Sequence, residues 1–305
     1  MENTSRGLFK MTPAMRLALF LGATGIGMIL GALISFSLVA AMLHVGINDI
    51  QKIILEPEYA SAAQFANALA SIIAFGLPSV AVAFFANGTL AKNMGFSKIN
   101  SYQQIGLVIA LALAGLVLSG ALGSLTEKIP LTSSFKNWAE GLEAQYRKAL
   151  VSMTQMHSIV DLLYALLAVA IVPAIVEELY FRGALQKTLT EWTGKPYVSI
   201  LITALFFSAI HFSFYGFLSR MALGILLGLI FEYTKTIWLS ILMHFINNGI
   251  SIVALYSVRN NPARVEKVID ENLPIYWGLI ACVGIYILFI KLKKISEDAG
   301  LEKSI

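Results

Sequence analysis

Charge is scarce in this sequence. Of 305 residues only 13% are Asp, Glu, Lys or Arg, against 57% hydrophobic, and the mean hydropathy is +0.75. A soluble domain carries about 25% charged residues. Half that fraction leaves too little polar surface to keep a chain of this size in water, and it also excludes the disordered and fibrous classes. There is one cysteine, Cys282, which excludes an intrachain disulfide and a cysteine-based zinc site. It sits mid-run among Leu279, Ile280, Ala281 and Val283, as a packing or lipid-facing residue. The net charge of +4 does not call for nucleic acid. Internal repeats, low-complexity tracts and an HExxH helix are all lacking, and no soluble segment is long enough to stand alone.

Long apolar runs fill the space that these absences leave. A membrane helix needs about 20 mostly apolar residues. Uncharged stretches of that length run from Leu17 to Asn48, Tyr59 to Ala91, Ile99 to Thr126, Pro196 to Ser219 and Thr236 to Val258, with a shorter one from Leu273 to Ile290. The first is far longer than the roughly 7–15 apolar residues of a signal peptide, so it reads as an uncleaved anchor and first span. Leu162 to Val176 runs straight into Glu177. The weakest run, Met221 to Phe231, lies between Arg220 and Glu232 and carries Gly224 and Gly228 at a spacing suited to close helix packing.

The expected fold is an all-α integral membrane protein with about eight transmembrane helices plus one amphipathic surface helix. That helix falls between Ser133 and His157, where Phe135, Trp138, Leu142, Tyr146 and Leu150 recur at helical spacing among Lys136, Glu140, Glu143, Arg147 and Lys148. The expected division is an anchor region of three spans over 1–132, the interfacial helix over 133–157, a catalytic core over 158–256 and a last span with its tail over 257–305. The three N-terminal spans carry no expected buried charge.

Eight spans put both termini on one side. That side collects Arg6, Lys10, Arg16, Lys92, Lys98, Lys187, Lys195, Lys235, Lys291, Lys293, Lys294 and Lys303. The opposite loops hold Lys52, Lys128, Lys136, Arg147, Lys148, Arg220, Arg259, Arg264 and Lys267, interleaved with most of the loop acids. The positive-inside rule then places both termini in the cytoplasm.

A charge at a helix centre costs about 2.5–3.5 kcal/mol on insertion scales, so intramembrane ionisable residues are functional candidates. Glu178 and Arg182 stand four apart, carboxylate first, the favourable order for a helical ion pair. Glu177 is rotated about 100° away and has no helical partner, which leaves it free as a general base. The competing reading is one structural ion cluster of all three. Phe207 precedes His211 by one turn, and His244 and Asn248 share a helix face, with Asn247 rotated off it. With helix ends near Thr188, Tyr197 and Thr236, Glu177, His211 and His244 lie roughly 17, 21 and 12 Å inward at 1.5 Å per residue. The hydrocarbon core is about 30 Å thick, so the three can meet. Pro173, one turn before Glu177, frees a carbonyl and can kink its helix. His44 and His157 lie near span ends, in interfacial positions.

Three elements in order, Glu177-Glu178-xxx-Arg182, Phe207-xxx-His211 and His244-xxx-Asn248, resemble the CAAX-protease and bacteriocin-processing family, also called the type II CAAX prenyl endopeptidase or abortive-infection family. The resemblance covers roughly Ile159 to Ser251. It implies an intramembrane peptidase in a bacterial cytoplasmic membrane, acting on a membrane-associated peptide or protein within the lipid bilayer, with no nucleic acid partner. By resemblance Glu177 and His211 activate water, His244 and Asn248 hold the oxyanion, and Glu178, Arg182 and Phe207 support them. It also leaves open a metallopeptidase, with either no cofactor or a divalent metal such as zinc on Glu177, His211 and His244. Two other classes compete: a proton-coupled transporter using the buried Glu and His as a relay, and a non-catalytic scaffold or immunity protein of the same fold. The lack of an inverted repeat counts against the first, and the intact motifs against the second.

Overall fold

The computed structural model of the chain describes residues 11–86, 88–269 and 272–301. Arg6, Lys10 and Lys303, used above for orientation, lie outside them. Among the described residues the structure is helical throughout, without strands.

Helix α1 (Pro13–Leu43) starts where the sequence signals it, with Thr12 accepting from Met15 N and Pro13 in the first turn. It packs on α2 (Ala60–Phe84) through small residues. A Cβ on Gly31 would stand 2.8 Å from the Ala70 carbonyl oxygen, so the two backbones touch here. Helix α3 (Tyr102–Glu127) opens on a capping box between Ser101 and Gln104. The amphipathic segment forms α4 (Ser133–Met153), and its end is tied to the first half of the chain: Gln64 Nε2 donates to Met153 O (2.6 Å) and Ser152 Oγ to Ile54 O (3.2 Å).

Helix α5 runs over Ile159–Thr193, from a capping box of Ser158 and Asp161 to a left-handed Gly194 (φ 67°). Its end therefore falls past the Thr188 expected above. The helix is not uniform. Two π-helical stretches, Leu166–Ile171 and Leu179–Gln186, flank the α-helical turn pair Val172–Glu178 that carries both glutamates. Pro173 has no N–H to give back to the preceding stretch, so the hydrogen-bond pattern shifts there. Helices α6 (Pro196–Ala209), α7 (Phe217–Thr234) and α8 (Ile237–Val258) follow with short turns, then α9 (Pro262–Ile269) and α10 (Ile275–Leu301).

Seven of these helices are long and apolar enough to cross a membrane. The eighth apolar run is the 14-residue α6, about 21 Å long at 1.5 Å per residue. Leu21, Ile29 and Leu33 on α1, and Leu279 and Tyr286 on α10, face outward with more than half their surface open, as lipid-facing side chains do. The core gathers Leu111, Phe181, Phe207, Leu227 and Met243 from α3, α5, α6, α7 and α8. One expectation is corrected. Arg16 on α1 is a buried charge, because the helix begins a turn before it and carries it against α5, where its guanidinium donates to Glu191.

Candidate active site

Four helices meet around α5. Arg182 and Gln186, one turn apart, reach α7 and donate to the carbonyls of Gly224 and Gly228, each at 3.1 Å. The two glycines are what permit this approach. A Cβ on Gly224 would stand 3.0 Å from Ala204 of α6, and one on Gly228 would stand 2.9 Å from both Ile200 and the Gln186 side chain. The glycine spacing seen in the sequence thus seats α7 against α6 and exposes carbonyls to α5.

Arg182 Nη1 also donates to Glu178 Oε1 at 2.6 Å, and neither side chain is exposed at all. The same Oε1 accepts from His244 Nδ1 at 2.8 Å, which ties α8 to α5. A carboxylate oxygen accepts, so Nδ1 carries the proton and Nε2 is turned the other way. It faces Glu177 Oε2 at 3.8 Å. That oxygen is buried and has no hydrogen-bond partner. Glu178 is thus held through Oε1 by two donors, whereas its Oε2, like Glu177 Oε2, is buried without a partner.

His211 follows the end of α6, and its Nδ1 lies 2.7 Å from the Phe207 carbonyl oxygen. A carbonyl only accepts, so this nitrogen too is the protonated one, and a neutral His211 presents Nε2 as an acceptor. Phe207 is the spacer between these groups. Its ring centroid is 5.0 Å from that of His211 and 5.7 Å from that of His244, and the Arg182 guanidinium lies 5.1 Å over its face.

The structure therefore brings Glu177, Glu178, Arg182, Phe207 and His244 into one buried cluster, with His211 attached through Phe207. Glu177 is in ion-pair range of His244, not of His211, among the described residues. Asn248 lies one turn beyond His244 and is half-buried; its Oδ1 accepts from Asn247 Nδ2 at 3.4 Å. Nothing links it directly to the glutamates. Glu177, His211 and His244, the set a zinc ion would use, are not drawn together: among the described residues no group of three His, Cys, Asp or Glu side chains is gathered. The Nδ1 of each histidine is engaged, by Glu178 in His244 and by a carbonyl in His211, which leaves Nε2 as the free ring nitrogen of both.

Two contacts had no signal in residue spacing. Glu178 and His244 are 66 residues apart, and nothing in the sequence pointed to their meeting. The second is the approach of α4 to the site, where Ser213 Oγ donates to Glu143 Oε2 at 2.8 Å. The Arg16–Glu191 pair could have been read, because a Thr-Pro helix start places Arg16 inside the first span.

No curated protein and no solved structure matches the chain. Residues 159–250 match the family model described as type II CAAX prenyl endopeptidase Rce1-like. The matched stretch holds every residue of the cluster and leaves α1 to α4 outside it. Over α5 to α8 the chain is thus similar to the Rce1-like type II CAAX prenyl endopeptidase family.

Proposed function

We propose that the chain is an intramembrane endopeptidase that hydrolyses a peptide bond in a membrane-embedded or lipidated polypeptide. The observation that carries this reading is the Glu177 carboxylate, buried among apolar helices with Oε2 unpartnered and 3.8 Å from His244 Nε2. A carboxylate kept from water and without a hydrogen-bond partner is a candidate general base. The family match over 159–250 supports the same class of reaction.

In this reading Glu177 takes a proton from a water molecule, with His211 Nε2 as the second acceptor that orients it. The water oxygen bonds to the scissile carbonyl carbon. The resulting oxyanion is held by Asn248 and His244, buried donors being most effective where charge develops. When the C–N bond breaks, the proton held by Glu177 passes to the leaving amine. Glu178 and Arg182 act at one remove: Glu178 fixes the tautomer and orientation of His244, and Arg182 balances the charge of Glu178.

The test is cleavage of membrane peptide libraries by the purified full chain and its Glu177→Ala and His211→Ala variants. Loss of cutting in both, with the helical fold retained, is the expected result. If both folded variants cut as well as the wild type, the assignment fails.

A further inference from the structure

The α6–α7 turn and α4 enclose an open cavity of about 360 Å³ lined by Leu142, Gln145, Tyr146, His211 and Phe212. That volume is within the range of about 300–1,000 Å³ that ligand sites occupy. We propose that this cavity is a substrate subsite, which takes a large apolar or aromatic side chain of the polypeptide next to the scissile bond. The proposal rests on the peptidase reading above and adds the specificity that α4 gives it.

Four observations carry it. His211 belongs both to the catalytic cluster, through Phe207, and to the cavity wall, so an occupant of the cavity is adjacent to the reacting bond. The remaining walls are an aliphatic side chain, two aromatic rings and one neutral amide. Two charged side chains stand nearby, and of these Arg220 keeps a buried Nη1 without a hydrogen-bond partner. Glu143 accepts from Ser213, and the Arg220 guanidinium is packed over Gly216 and covered by the Tyr146 ring, 4.6 Å from its centroid. A charged side chain set against these walls would be desolvated, whereas an apolar one would bury its surface.

The fourth observation is Phe212, 70% exposed with a left-handed backbone at φ 50°. A bulky residue rarely adopts that conformation, and such strain concentrates at functional sites. Here it holds a large ring at the cavity mouth. The opposite wall is fixed as well, because α4 is fastened at its far end through Gln64 and Ser152 and touches the α6–α7 turn through Phe135 on Phe214, 5.3 Å between centroids.

The experiment uses the full chain in phosphatidylcholine nanodiscs with paired fluorescent peptides that differ only in Phe or Ala beside the cut. Wild type should cut and bind the Phe peptide at least tenfold better than the Ala peptide. Leu142→Trp, which fills the cavity, should abolish that preference, and Gln145→Trp at an exposed position provides a second filled variant should the first not fold. Equal preference in the wild type and in the folded filled variants would overturn the subsite and leave the cavity to lipid. If the wild type cuts neither peptide but still binds the Phe peptide, and the filled variants lose that binding, the cavity stands and the peptidase reading falls.

Discussion

Glu177 and Glu178 are neighbours in sequence and are held in opposite ways. Glu178 Oε1 serves two donors, Arg182 Nη1 and His244 Nδ1, with no exposure. Removing Arg182 strands a buried carboxylate. Breaking such a pair costs about 3–5 kcal/mol, so Arg182→Ala should lower the thermal midpoint in detergent sharply or prevent folding. Glu177→Gln breaks no hydrogen bond at Oε2 and should leave that midpoint nearly unchanged. Activity should nonetheless fall by roughly 10²–10⁴-fold, the usual contribution of a general base. Equal damage to stability in the two variants would mean that Glu177 belongs to the same structural ion cluster as its neighbour. The donor set bears on a third outcome. Glu177, His211 and His244 are not gathered as ligands, so cleavage should persist after exhaustive chelation; complete loss, restored by zinc, would refute that.

The pairing of Glu178 with Arg182 was legible because an α-helix brings residues four apart together, and α5 keeps that neighbourhood even where it turns π-helical. The partner of Glu177 was not legible. Spacing left it free but could not say which histidine stands nearest, because that depends on how α8 rotates against α5.

At the scale of the helix, the decisive contact is the seat of α7 between α5 and α6. Gly224 does two jobs there: it lets Ala204 approach within 3.0 Å of where a Cβ would be, and its carbonyl accepts from Arg182. Gly224→Val should force α7 off α6, at an overpacking cost of about 1–3 kcal/mol. It should also loosen Phe207, whose ring lies 3.3 Å from the added Cβ. The expected signature is a loss of cleavage larger than the fall in thermal midpoint explains, because the displaced Phe207 is the spacer between the two histidines. If stability drops and activity per folded molecule holds, the helix seat is structural only. The sequence revealed this glycine spacing as a close-packing signal. It did not reveal that α5 side chains use the exposed carbonyls, since polar reach across helices has no period to read.

For the whole molecule, alternating the direction of successive spans predicts the sidedness of the termini independently of how deep the short α6 reaches. Helices α1, α2 and α3 run out, back and out again, α4 lies on the far side, and α5 returns. The α6–α7 hairpin then leaves and comes back to the same face, whether or not its 14-residue first arm crosses completely. With α8 going out and α10 returning, the start of α1 and the end of α10 are expected on one face. The α2–α3 loop lies with them, and α4 lies opposite. The lysines of that shared face, Lys92, Lys98, Lys187, Lys195 and Lys235, point to the cytoplasm by the positive-inside rule. Replacing Cys282 by Ser and introducing single cysteines tests this directly. On intact cells a membrane-impermeant maleimide should label Glu140→Cys on α4, and should label Lys92→Cys and Glu297→Cys only after the membrane is opened. Labelling of Lys92→Cys and Glu297→Cys from outside, with Glu140→Cys protected, would invert the orientation. It would put the α4 cavity, and so the face from which His211 is reached, on the cytoplasmic side.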